Sequence, residues 1–137
     1  MQVQPYLFFN GRCEEAIEYY RDTLGAEITA VMRFHEMPEA DKGVIPPGSE
    51  NKIMHAGLRL GESEVFASDG MNSGETNFEG VSLSLAASDD AEAERLFGLL
   101  AADGQIQMPM EEAFFASRFG AVEDKFGVSW LVMSAKK

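Results

Sequence analysis

The chain has 137 residues, 45% of them apolar, and its 11 basic and 23 acidic side chains give a formal charge of −12. A chain of this length buries roughly two-thirds of its unfolded surface and folds without a disulfide or metal, and the single cysteine, Cys13, excludes an intrachain bridge. The acidic balance argues against nucleic acid and anionic membrane as partners, because both reward clustered Lys and Arg, and no apolar run approaches the roughly 20 residues of a membrane helix.

Val3–Phe9 is apolar and aromatic and predicts a strand. After a turn at Asn10-Gly11, Cys13, Ala16, Ile17, Tyr20 and Leu24 recur at helical spacing, with Glu14, Glu15, Glu18, Arg21 and Asp22 on the wet side. The early glutamates suit the positive end of the helix dipole. Gly25 is placed to end this helix in a left-handed turn. Glu27–Phe34 predicts a second strand. His35–Asn51, with Pro38, Gly43, Pro46, Pro47 and Gly48, predicts a long loop. Lys52–Leu60 and Ser63–Asp69 predict a hairpin across Gly61-Glu62, and a polar loop, Gly70–Phe78, follows.

Gly80–Ala87 alternates and predicts another strand. Ser88 or Asp89 caps the next helix, with Glu92 three residues after Asp89 as in a capping box. Ala93, Leu96, Phe97 and Leu100 form its buried stripe, and Gly104 closes it. Gln105–Met110, Ser117–Asp124 and Val128–Ser134 complete the strands, with a turn at Asp124–Gly127. The helical segments EEAIEYYRDTLGAEI (Glu14–Ile28) and AEAERLFGLLAADGQI (Ala91–Ile106) thus open two similar units, a repeat with an offset of roughly 75 residues.

The order strand, helix, three strands, given twice, resembles the vicinal oxygen chelate superfamily, which includes glyoxalase I, the bleomycin and fosfomycin resistance proteins and the extradiol dioxygenases. PYLFFNGRCEEAIEYYRDTLGAE (Pro5–Glu27), KIMHAGLRLGESEVFASD (Lys52–Asp69) and DKFGVSWLV (Asp124–Val132) look like its PhnB-like branch. The resemblance implies an α+β fold: one glyoxalase-like domain over 1–137, in which two βαβββ modules, about 1–69 and 79–137, form a half-barrel cleft. It also implies a homodimer. The absence of a basic n-region or apolar leader in MQVQPYLFFNG predicts the cytoplasm.

In metal-dependent members of the superfamily, side chains such as His, Glu and Gln hold a divalent ion that polarises vicinal oxygens. The residues matching those ligands here are Gln4, Ala67 (with Asp69 two residues on), Gly80 and Leu131. Catalytic metal sites need about three protein ligands, so the expectation is no metal and no cofactor. The branch is linked by similarity to a ubiquinone-pathway methyltransferase, yet no glycine-rich loop of a Rossmann-type methyltransferase stands at a strand–helix junction.

Period-two geometry assigns the remaining candidates. On Lys52–Leu60, Met54, Ala56, Leu58 and Leu60 should face a helix, and Ile53, His55, Gly57 and Arg59 the cleft. His55 is suited to proton transfer and Arg59 to clamping an anion; the structural alternative, a histidine tying the sheet to the long loop and an arginine solvated at the strand end, is the stronger for each alone. His55 with Asp69 is a candidate acid/base pair. Tyr6 and Phe8 share a face with Gln4 and suit stacking on a planar ligand, or filling the space a metal would occupy. Ser82, Ser84, Ser129, Leu131 and Met133 should face the cleft, with Trp130 behind. Cys13, on the apolar stripe, reads as a core residue. Phe114, Phe115 and Phe119, with Met108 and Met110, suit core, a dimer interface or a pocket. Two functions compete: a small-molecule binding protein without the family metal, with cleft candidates Gln4, Tyr6, Phe8, His55, Arg59, Asp69, Ser82, Ser129 and Leu131; and a metal-dependent lyase, isomerase or dioxygenase-like enzyme. A third is a homodimer with no small ligand.

Overall fold

A computed structural model describes residues 1–39, 43 and 45–136. Among the described residues the chain forms eight strands, two α-helices and one 3-10 turn, divided into two compact units, Met1–Thr76 and Asn77–Lys137. The first unit contains β1 (Tyr6–Phe8), α1 (Cys13–Leu24), β2 (Glu27–Arg33), β3 (Ile53–Leu60) and β4 (Ser63–Ser68). The second contains β5 (Leu83–Ala87), α2 (Asp90–Ala101), β6 (Gln105–Ala113), β7 (Ala116–Glu123) and β8 (Ser129–Ser134). The sheet orders are β1-β4-β3-β2 and β5-β8-β7-β6. In each, the first strand runs parallel to the fourth and the other pairs are antiparallel. The repeated βαβββ order of the sequence is therefore a repeated topology, and neither sheet closes into a barrel.

Each sheet covers one face with its own helix. In the first unit Cys13, Ala16, Ile17 and Tyr20 of α1 are buried, and so are Ala56 and Leu58 of β3 and Val65 and Ala67 of β4. Ala56 pairs with Ala67 and Leu58 with Val65, so the small and aliphatic residues share the helix-covered face. Complete burial of a side chain the size of Ile17 or Leu58 stabilises by about 1.5–3 kcal/mol. In the second unit the buried stripe of α2 is Ala93, Leu96, Phe97 and Leu100, and it covers β7 and β8. Trp130, Val132 and Ser134 are buried on that face.

Several expected boundaries shift. The first strand is three residues long rather than Val3–Phe9, and β5 begins at Leu83 rather than Gly80, which sits in a turn at φ +77°. The loop expected over His35–Asn51 opens with a 3-10 turn, Phe34–Glu36, and Ala40, Asp41, Lys42 and Val44 lie outside the described residues. Gly25 takes the left-handed conformation at φ +70°, and its N–H reaches the Tyr20 carbonyl. Gly104 does not. α2 ends on Ala102 in a right-handed conformation. A Cβ at Gly104 would lie 2.1 Å from the Glu123 carbonyl oxygen, so the glycine there serves a close backbone approach.

Candidate functional site

The uncovered face of the first sheet carries an aromatic group. Tyr6 and Phe8, two residues apart on β1, stack with ring centroids 5.0 Å apart and planes inclined by 16°. Tyr6 pairs with Phe66 across the parallel β1–β4 ladder, and their rings are 5.8 Å apart. The His55 ring lies 5.6 Å from Tyr6 and 5.3 Å from Phe66. The Tyr6 hydroxyl and His55 Nδ1 are hydrogen-bonded at 2.8 Å. Burial raises the Tyr6 pKa above its ordinary value, with Cys13 adding to the shift. An open hollow of about 520 Å³ adjoins this group, lined by Tyr6, Phe8, Asn10, Phe34, Met54, Ser68, Gly70 and Met71. That size falls in the range of small-molecule sites.

Strict alternation along β3 places Met54 under the helix and Ile53 in the open, and here the structure reverses both. Met32 pairs with His55 but Arg33 pairs with Ile53, so Met54 is an extra residue in the ladder, a β-bulge. The bulge turns Met54 and His55 toward the open face and Ile53 inward, where it is fully buried. Bulges re-aim side chains in this way. Met54 and Met71 in the hollow wall, and Phe66 beside Tyr6, are candidates that periodicity missed. The pairing of Phe66 with Tyr6 was readable only once the parallel β1–β4 register was known.

Asp69 stands apart from this face and corrects the idea of a His55–Asp69 acid/base pair. Its side chain is 1% exposed, and its oxygens accept from three backbone N–H groups: Gly11 at 2.7 Å, Cys13 at 2.8 Å and Ile53 at 2.8 Å. A carboxylate so engaged holds the start of α1 against the end of β4. Cys13 lies beside it, and burial, helped by the Asp69 charge, pushes its thiol well above its usual range. The thiol stays protonated, which argues against a nucleophile.

The other candidates fall in several places. Arg59, on the His55 face, donates to Glu27 Oε2 at 2.9 Å across the β2–β3 pair and is half exposed. Gln4 precedes β1, next to Pro5, whose carbonyl accepts from the Phe66 N–H. In the second unit the Ser82 hydroxyl donates to Ser129 Oγ at 2.9 Å, and Ser129 reaches Gln107 Oε1 at 3.3 Å. Leu131 and Ser129 share the uncovered face of β8, opposite the buried Trp130 and Val132. Phe114, Phe115 and Phe119 meet edge to face near the β6–β7 turn, and Phe114 is 91% exposed, so it is not core.

The family metal does not fit these residues. Ala67, matched to a ligand position, is fully buried on the helix-covered face, and the open-face neighbour is Phe66. Gly80 is a turn residue and Leu131 is apolar. His55, its Nδ1 bonded to Tyr6, can offer only Nε2, one ligand where about three are needed. Among the described residues no three His, Cys, Asp or Glu side chains converge as a metal site. Likewise, among the described residues, no helix is long and apolar enough to cross a membrane.

Comparison with known proteins places this geometry. The family model described as 3-demethylubiquinone-9 3-methyltransferase matches residues 1–133. Protein YjdN of Escherichia coli (strain K12) is 40% identical over 143 residues, which span 100% of this chain and 97% of that protein. The crystal structure of PA1353 from Pseudomonas aeruginosa superposes with a TM-score of 0.86 at 40% identity, covering 100% of this chain and 99% of that one. The PhnB protein from Bacillus cereus gives 0.79 at 30% identity, covering 98% and 100%. A glyoxylase/bleomycin resistance protein/dioxygenase domain from Frankia sp. EAN1pec, 14% identical, shares the fold with a TM-score of 0.66 over 100% of this chain and 93% of its own. The chain thus belongs to the PhnB-like family described as 3-demethylubiquinone-9 3-methyltransferase, on the glyoxalase/bleomycin resistance/dioxygenase fold.

Proposed function

We propose that this protein binds a small, flat, largely apolar molecule on the open face of its first sheet, without the superfamily's metal. The observation that carries this reading is the Tyr6–Phe8 ledge. Two stacked rings left 41% and 49% exposed border an open hollow. Contiguous exposed apolar surface is found at ligand grooves and partner surfaces. The hollow supplies stacking area and few polar groups, the usual character of a ligand site.

Methyl transfer, the activity in the family's description, gains no support from the local chain. The β1–α1 turn, Asn10-Gly11-Arg12, holds one glycine, whereas a nucleotide-type cofactor loop needs several. The competing reading, a metal-dependent lyase, isomerase or dioxygenase-like enzyme, would need about three converging ligands, and among the described residues no three His, Cys, Asp or Glu side chains converge. We also take the protein to be a cytoplasmic homodimer. Ile106, Met108 and Phe114, exposed apolar side chains on and near β6, support a partner surface there.

The test is a two-dimensional amide NMR titration with a panel of flat aromatic compounds. Binding should perturb Tyr6, Phe8, Met54 and Gly70, and Phe8→Ala should weaken it by roughly 3- to 10-fold, as loss of one aromatic contact does. No perturbation from any compound would sink the reading. So would stoichiometric Zn, Ni, Mn or Fe in protein purified without chelator.

A further inference from the structure

The contact between Tyr6 and His55 restricts what the hollow can hold; this step rests on the reading that the hollow binds a small molecule. The hydroxyl oxygen and Nδ1 are 2.8 Å apart, and a single proton lies between them. If the phenol donates, the imidazole proton sits on Nε2. If Nδ1–H donates, the phenolic O–H turns outward. In both arrangements the pair keeps one N–H or O–H donor for a third molecule. The raised Tyr6 pKa, caused mainly by burial, keeps the phenol protonated through the neutral range.

Two other side-chain donors around the hollow already have protein acceptors, the Asn10 amide through one of its two N–H groups. The Ser68 hydroxyl donates to the Ile53 carbonyl at 3.4 Å, and the Asn10 amide donates to the Glu75 carbonyl at 2.7 Å. Among the described residues, Tyr6 is the hydrogen-bond partner of the His55 side chain. The rest of the surround is apolar: the rings of Phe8 and Phe66, with Phe34, Met54 and Met71 in the hollow wall. A donor left unpaired among such groups costs about 1–3 kcal/mol once a ligand excludes water, so a good ligand must supply an acceptor. The sign of the ligand's charge follows as well. The lining includes no Lys or Arg, and the chain carries a net charge of −12. An anionic acceptor would enter a protein of negative net charge with no Lys or Arg in the lining to meet it.

We propose that the ligand is a flat aromatic molecule bearing a neutral carbonyl, whose oxygen accepts a hydrogen bond from the Tyr6–His55 pair while its ring lies on Tyr6 and Phe8. The probes are 2-acetylnaphthalene and 2-isopropenylnaphthalene, which match in shape and differ in having C=O or C=CH2. Their own fluorescence follows binding. The ketone should bind the wild-type protein about 3- to 10-fold more tightly, the span of one net hydrogen bond. In Tyr6→Phe/His55→Phe, which keeps the aromatic surface and removes both donors, the ratio should fall to about one. Equal wild-type affinities would overturn the carbonyl assignment and leave the binding reading standing. So would a preference that survives in the double variant. If neither compound binds, both readings fall. The wild-type comparison decides the matter even if the double variant does not fold.

Discussion

The two units share a topology and solve the same problem at the helix start by different means. A helix leaves its first N–H groups without internal partners. In the second unit α2 supplies its own cap: Asp89 accepts from the Glu92 N–H at 2.8 Å, and Glu92 reaches back to the Ser88 N–H at 3.0 Å. Asp90 then takes the Ser117 and Ser134 hydroxyls at 2.9 and 2.5 Å, tying α2 to β7 and β8. In the first unit α1 has no side-chain cap of its own. Asp69, at the end of β4, reaches Gly11 and Cys13 at the start of α1 and Ile53 of β3. A local device in one unit is thus a long-range one in the other. The strand order repeats while the chemistry at each joint differs.

The largest test of that contrast is Asp69→Ala against Asp89→Ala in urea titrations. Asp69→Ala strands three N–H groups, two of them in a buried setting, and should cost on the order of 3–5 kcal/mol. Asp89→Ala loses an exposed cap and should cost about 1 kcal/mol. Equal losses would break the distinction between the two joints.

The helix ends give the next contrast. Gly104→Ala drives a Cβ to 2.1 Å from one carbonyl oxygen and 2.8 Å from another, that of Leu100. Backbone must move, at about 2–4 kcal/mol. Gly25→Ala meets no atom within 4 Å and bears only the strain of φ +70°, about 1–2 kcal/mol. A Gly104→Ala protein as stable as Gly25→Ala would show that the β7 end yields freely.

The smallest effect concerns the first residue of each helix. α2 begins with Asp90, hydrogen-bonded by two serines, whereas α1 begins with the buried Cys13. The folded state holds the thiol protonated above its ordinary value of 9.0, and the unfolded chain releases the proton there. The unfolded state then binds fewer protons, so stability falls as pH rises above 9. The contribution should reach about 1 kcal/mol between pH 9 and pH 10. Urea midpoints of Cys13→Ala should lack this part of the alkaline decline; parallel pH profiles for the two proteins would remove Cys13 from the account.

Much of the fold was legible because its signals are local. The stripe Cys13, Ala16, Ile17, Tyr20 repeats every three or four residues, and the Asp89–Glu92 cap spans one turn. Part of the aromatic group on the open face was legible for the same reason. Tyr6 and Phe8 are neighbours on one strand, and His55 lies in phase with Gly57 and Arg59. The reversal at Ile53 and Met54 was not legible, since a bulge is an extra residue measured against a partner strand, and no pattern within β3 reports it.

The amino-acid sequence by itself determined two repeated βαβββ units, their helical stripes and an aromatic first strand, because periodicity and turn chemistry act over a few residues. Tertiary structure decided the rest. Asp69 finds partners 58, 56 and 16 positions away. Met54 reaches the open face through a misaligned ladder, and Phe66 meets Tyr6 across a parallel pair. Each of those outcomes depends on which strand lies beside which, and hydrogen-bond geometry between distant segments settles that only when the chain has closed on itself.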